Sequence, residues 1–316
     1  MDALYPPLEP HASGFLPEAD GHRVRYEVSG NPAGVPVLFL HGGPGSSTKP
    51  DHRRYFDPAR YHIVLFDQRG CGTSQPAGSV SANTTAHLVG DMERLRVLLG
   101  VRAWVLFGGS WGSTLALAYA QAYPEAVTRL ILRGIFLASR SELDWYFDGL
   151  EAFVPEARAR LFEPAPGARW PALLSTYETL LNHPERALAQ QAALRWSAFE
   201  AAVMSIGEAS ALPLPAADAA GLLARARVQV HYLARNCFLR PGELLDNMAR
   251  IAHLPATLVQ GRMDFVCPPV TAVALHARWP ASRLVMVEQG KHASSHPGIE
   301  RALVAAADAA LASSDG

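Results

Sequence analysis

Short apolar runs ending in glycine-rich segments alternate with amphipathic stretches along the first third of the chain. This alternation predicts strands and helices in turn. Residues 35–40 (VPVLFL) run into His-Gly-Gly-Pro-Gly, residues 63–66 (IVLF) into Asp-Gln-Arg-Gly, and residues 104–107 (WVLF) into Gly-Gly-Ser. Residues 130–132, inside RLILRG, give a fourth run. These runs are short and partly β-branched or aromatic, as strands covered on both faces should be. Between them, Leu88, Met92, Leu95 and Leu99 recur at helical spacing behind candidate caps at 83–85, and Gly100 supplies the stop. Residues 112–122 read as a second helix that opens directly behind Ser110. Strand–helix alternation of this kind implies a parallel sheet with helices on both faces.

The middle of the chain changes period. Residues 136–247 hold no convincing strand and instead carry helical stretches at 170–181, 186–204 and 219–238. The α/β pattern then resumes with strands at 256–260 and 283–287 and a closing helix at 298–312. The expected architecture is one α/β catalytic core, residues 1–135 and 248–316, interrupted by a helical cap, residues 136–247. Residues 1–20 and the last few are expected to be loosely tethered.

Composition narrows the function classes. With 49% hydrophobic and 18% charged residues in 316, a sizeable core is available. A formal net charge of -1 gives no field to favour nucleic acid or an anionic membrane. No stretch approaches the roughly 18 continuous apolar residues of a membrane span, and MDALYPPLEP does not read as a secretory signal. Cys71, Cys237 and Cys267 are scattered without metal-ligand spacing. No G-x-G-x-x-G follows the first strand, which disfavours a dinucleotide. The expectation is a cytoplasmic protein that acts on small molecules without metal or cofactor.

Candidate chemistry lies at the strand ends. Gly108-Gly109-Ser110-Trp111-Gly112 matches G-x-S-x-G between a strand and a helix, where a sharp turn lifts a serine above the sheet. A serine hydroxyl needs a base. Asp264 follows the strand at 256–260 and His292 the strand at 283–287, and parallel strands place their C-terminal ends together. His292 is thus expected to take the proton of Ser110, and Asp264 to orient the imidazole. The backbone N–H of Trp111 and that of Gly43, or of Gly42, are the expected oxyanion donors.

At this point the chain resembles the prolyl iminopeptidases, serine peptidases of the α/β-hydrolase fold. The resemblance rests on HGGPG at 41–45, DQRGCGTS at 67–74, GGSWGS at 108–113, RGIF at 133–136, ELDWY at 142–146, WSAFE at 196–200, His231-Tyr232 and GRMD at 261–264. It implies release of N-terminal proline from small peptides through an acyl-enzyme, without metal. It implies Glu200 as the carboxylate for the substrate ammonium, and Phe136, Tyr146 and Phe199 as walls for the proline ring. Arg133 is implied near the pocket, or alternatively paired with a cap acid. Gln229 stands where the family usually carries glutamate, and is expected to accept from the ammonium without a compensating charge. Lys291 replaces a family glycine and is expected to put a cation beside the imidazole. Two other readings remain open: an esterase or amidase that has lost the proline pocket, and a non-catalytic binding protein, which an intact Ser-His-Asp set fits poorly.

Overall fold

The computed structural model describes residues 3–208 and 218–312. Eight strands form one sheet: β1 (Ala12–Phe15), β2 (Arg25–Gly30), β3 (Val35–Leu40), β4 (Tyr61–Phe66), β5 (Trp104–Ser110), β6 (Val127–Ile135), β7 (Ala256–Gly261) and β8 (Ser282–Val287). Their spatial order is β1-β2-β4-β3-β5-β6-β7-β8. The pairs β1–β2 and β2–β4 are antiparallel and all later pairs are parallel. β3 and β5 lie at the centre and are buried on both faces, which explains their unbroken apolar runs. β1 (ASGF) and β2 (RYEVSG) carry polar side chains on their more open face and so left no continuous apolar signal.

Helices cover the sheet. α1 (Thr85–Leu98) starts where the Thr84 hydroxyl accepts from the His87 N–H. α2 (Trp111–Ala122) leaves β5 with no intervening loop. Between β6 and β7 the described residues contain helices and no strand: α3 (Arg140–Phe147), α4 (Pro155–Phe162), α5 (Trp170–Leu181), α6 (Arg186–Met204), α7 (Ala219–Leu233) and α8 (Glu243–Asp246). α9 (Pro269–His276) and α10 (Pro297–Ala312) complete the chain. Helix α7 ends five residues before the expected 238, because Asn236, Cys237 and Phe238 all adopt positive φ. No helix among the described residues is long and apolar enough to cross a membrane.

Two apolar clusters sandwich the sheet. One joins Leu38, Leu40, Leu106 and Leu132 to α1, α2 and the inserted helices. The other joins Val37, Phe39, Val105 and Phe107 to α10 on the opposite face. The expectation of a loose N-terminal segment is overturned for residues 3–20. Tyr5 N–H donates to the Arg54 carbonyl at 2.9 Å, and its hydroxyl reaches Asp308 at 2.8 Å. The Leu8 carbonyl accepts from buried Arg53 at 2.9 Å, and β1 adds to the sheet edge. The corresponding expectation for the last four residues lies outside the described residues.

Candidate active site

Strand β5 passes straight into α2 at Ser110, whose φ of 56° and ψ of -126° lie outside the ordinary regions for an L-residue. Such a turn works only if its neighbours lack side chains. A Cβ on Gly108 would lie 2.3 Å from the Gly112 carbonyl oxygen, and one on Gly112 would lie 2.2 Å from that of Leu40. The turn therefore sits at the carboxyl edge of the sheet between two clashing backbones, with the Ser110 side chain exposed to a cavity of about 420 Å³.

The acid and the base meet as their strand ends predict. The Nδ1–H of His292 faces Asp264 Oδ1 at 3.0 Å and Oδ2 at 2.9 Å. Asp264 is 3% exposed, and its Oδ1 also accepts the N–H of Val266 at 3.0 Å and of Cys267 at 2.8 Å. Gln260, at the end of β7, reaches Oδ2 at 3.4 Å while its own carbonyl accepts from the Ile135 N–H. With Nδ1 committed as donor, the lone pair of His292 is left on Nε2. Gly134, with φ of 53°, leaves room for this pair: a Cβ there would be 3.2 Å from both Asp264 Oδ2 and His292 Cε1.

No hydrogen bond among the described residues joins Ser110 to His292. Ser110 and Cys267 both line the cavity. The Nε2 of His292 faces Arg133 Nη1 at 3.4 Å, and the same nitrogen donates to the His292 carbonyl at 2.6 Å. Arg133 thus packs over Gly109, where a Cβ would come within 2.5 Å of the guanidinium. It forms no ion pair with a cap acid among the described residues, where its partner is the His292 carbonyl. Burial and the charge of Asp264 hold the Cys267 thiol far above its ordinary pKa, so it stays protonated.

The glycine-rich loop after β3 is fixed from behind. His41 is buried, accepts the Gln68 N–H on Nε2 at 3.0 Å, and faces the Gly42 carbonyl through Nδ1 at 2.9 Å. An N–H donor on one nitrogen and a carbonyl on the other require the neutral Nδ1–H tautomer, and burial lowers the pKa to match. Gln68 also donates to the His41 carbonyl and accepts from the Trp111 indole at 2.8 Å. The loop and the start of α2 are thereby tied together. A Cβ on Gly42 would lie 3.5 Å from that of Ser110, and Gly43 adopts φ of 120°. The backbone of 42–43 and the first N–H of α2, that of Trp111, therefore flank Ser110.

On the other side the cavity is lined by Phe136, Tyr146, Glu200, Arg225 and Gln229. Phe136 is clamped by α2: its N–H donates to Ser113 Oγ at 3.1 Å and its carbonyl accepts from Thr114 at 2.7 Å. Glu200 on α6 meets two residues one turn apart on α7. Gln229 Nε2 donates to Oε1 at 2.7 Å, and Arg225 Nη2 lies 3.4 Å from the same oxygen. Glu200 Oε2 and Arg225 Nε are buried without a hydrogen-bond partner among the described residues.

Comparison with known proteins decides the family. The model of the alpha/beta hydrolase fold matches residues 35–298. A probable proline iminopeptidase of Leptolyngbya boryana is 44% identical over 310 residues, covering 98% of this chain and 97% of that one. The proline iminopeptidase of Arabidopsis thaliana is 43% identical over 306 residues, covering 96% and 80%. The chain belongs to the proline iminopeptidase family. Solved structures agree on the fold: an esterase from Exiguobacterium antarcticum superposes with a TM-score of 0.60 at 20% identity, covering 95% of this chain and 99% of that one. A hydrolase from Pseudomonas aeruginosa gives 0.59 at 20% identity, covering 95% and 98%.

One expectation for this proline iminopeptidase family member needs correction, and two others gain detail. Phe199 does not line the cavity. It is 2% exposed and sits behind Tyr146, edge-on at 5.4 Å, because its position on α6 points it into the helical insertion while Glu200, the next residue, faces Ser110's cavity. Gln229 lines the cavity and is tied to its neighbours through both ends of its amide. Its carbonyl takes the Trp196 indole N–H at 3.0 Å and its amide donates to Glu200, so its hydrogen bonds position the carboxylate. Lys291, beside His292 in the chain, has its ammonium paired with Glu208 at 2.8 Å and donating to the Gly207 carbonyl. Arg225, Gln68 and Gln260 were missed in the sequence. Arg225 had a usable signal, four residues before Gln229 on one helix face.

Proposed function

We propose that this protein is a serine exopeptidase that releases N-terminal proline from small peptides, with Ser110 as nucleophile and His292 and Asp264 as base and orienting acid. The observation that carries this reading is Glu200 Oε2, an unpartnered buried carboxylate oxygen on a residue that lines the cavity of Ser110 and His292. A buried carboxylate oxygen calls for a donor, and a charge-assisted hydrogen bond contributes about 1.5–3 kcal/mol. A free N-terminal proline is a secondary ammonium on a small apolar ring. Its N–H meets Glu200, and its ring meets Phe136 and Tyr146. Anchoring the terminal ammonium holds the first carbonyl at Ser110, and no later one, which limits cleavage to a single residue.

In the reaction the Ser110 hydroxyl turns toward His292 Nε2, which takes its proton as Oγ attacks the carbonyl carbon. Hydrogen bonds of this kind often tighten only in the substrate complex. The oxyanion accepts from the N–H groups of Trp111 and Gly43. His292 then delivers the proton to the leaving amine, and water repeats the sequence on the acyl-enzyme to free proline. Residues 136–247 serve as the recognition cap, since they contribute Tyr146, Glu200 and Gln229. The segments 1–135 and 248–316 contribute the reacting groups.

The test is a substrate panel on purified protein. Proline arylamide should be cleaved in clear preference to alanine arylamide, and acetylation of the proline nitrogen should abolish turnover. Hydrolysis of short acyl esters with no proline release would assign the protein to the esterases. No hydrolysis at all would leave a binding protein.

A further inference from the structure

The cavity has a second lobe that the acyl side of the substrate does not use. Successive side chains of a strand point to opposite faces. Phe39 and Phe107 therefore face α10, in the apolar cluster opposite to the one that holds Phe136 and Tyr146. All four line the same cavity, so it straddles the carboxyl edge of the sheet with Ser110 between its two ends.

The floor of the second lobe is aromatic. Phe39 stacks on His52 with centroids 4.3 Å apart and on Phe107 at 5.6 Å, and Tyr55 lies 5.4 Å from Phe107. The Tyr55 hydroxyl donates to the Ser294 carbonyl at 3.1 Å, which closes the wall with the loop that follows His292. His52 accepts the Lys49 N–H on Nδ1 at 3.0 Å, so its proton is on Nε2 and the floor is uncharged at neutral pH. Lys49 also lines the cavity and is exposed, and its ammonium forms no ion pair among the described residues.

We propose that this lobe is the leaving-group subsite: it takes an aromatic side chain on the second residue of the substrate, while Lys49 meets the free carboxylate of a dipeptide. The inference rests on the exopeptidase reading. If Glu200 holds the amino terminus on one side of Ser110, the leaving residue must lie on the other. A flat aromatic floor under an open cationic rim fits a residue with a planar apolar side chain and a terminal carboxylate.

Proline release should be measured from Pro-Phe, Pro-Gly and Pro-Phe-amide, with wild type and Lys49→Met. Wild type should process Pro-Phe with kcat/KM about tenfold or more above Pro-Gly, the effect of burying a large apolar side chain. Lys49→Met should lower the ratio of Pro-Phe to Pro-Phe-amide about threefold, as expected for a solvent-exposed ion pair. Equal rates for Pro-Phe and Pro-Gly would overturn the aromatic subsite, and an unchanged acid-to-amide ratio in Lys49→Met would overturn the carboxylate contact; in both cases the exopeptidase reading survives. No proline from any substrate would overturn that reading and the subsite with it.

Discussion

The two halves of the cavity differ in how completely the protein satisfies its own polar groups. Around the proposed reacting groups nearly every donor and acceptor is committed. Asp264 takes bonds from two backbone N–H groups, Gln260 and His292, while His41, Gln68 and Trp111 lock the glycine-rich loop to α2. In the recognition half, Glu200 Oε2 and Arg225 Nε are buried with no partner among the described residues. An unpaired buried polar group costs about 1–3 kcal/mol. The molecule is thus preorganised where charge is proposed to develop during reaction, and carries unmet polarity where a charged ligand is proposed to bind. The aromatic residue there is affected too: burial and then the charge of Glu200 hold the Tyr146 hydroxyl well above its ordinary pKa. It remains a neutral wall.

Mutations should separate the halves. Ser110→Ala should remove turnover of every substrate, by about a million-fold in kcat, with the fold retained by circular dichroism. Residual activity within a factor of ten of wild type would break the comparison at its chemical end. Glu200→Gln should lower kcat/KM for proline arylamide by about 10- to 100-fold, the worth of one charge-assisted bond. Its effect on a small neutral acyl ester should be much smaller, and an equal loss on both would show that Glu200 supports the fold rather than the ligand. Gln229→Leu leaves the Trp196 N–H buried and frees the Glu200 carboxylate from its donor. It should raise KM for proline arylamide about tenfold, more than it changes kcat.

The smallest effect concerns stability. Burial lowers the pKa of His41, and burial with the neighbouring Lys49 ammonium pushes that of His52 from the ordinary 6.5 to about 3. Below the ordinary value the unfolded chain binds protons that the folded chain refuses. The His52 contribution is therefore full above pH 6.5 and falls as the pH drops toward 3, by about 1 kcal/mol per pH unit, and His41 acts in the same direction. Urea unfolding at pH 7 and pH 5 would measure the slope, and His52→Asn should flatten it. A slope unchanged by that substitution would remove His52 from the account.

The sequence by itself determined the elements that are buried on both sides and the turns that demand glycine. β3, β5 and β7 announce themselves because a strand covered on both faces has no polar positions to interrupt its run. That Asp264 and His292 meet, in the cavity that Ser110 lines, was legible because parallel strands deliver their C-terminal ends to one edge. β1 and β2 were not legible, since an open face lets polar residues in and the apolar pattern fades. Only the tertiary structure decided which side chains of the inserted helices face the cavity. Phe199 and Glu200 are neighbours in sequence, and the orientation of α6 against α7 and α3 turns one into the apolar interior and the other toward Arg225 and Gln229. That orientation is set by contacts between residues far apart in the chain, which no local period records.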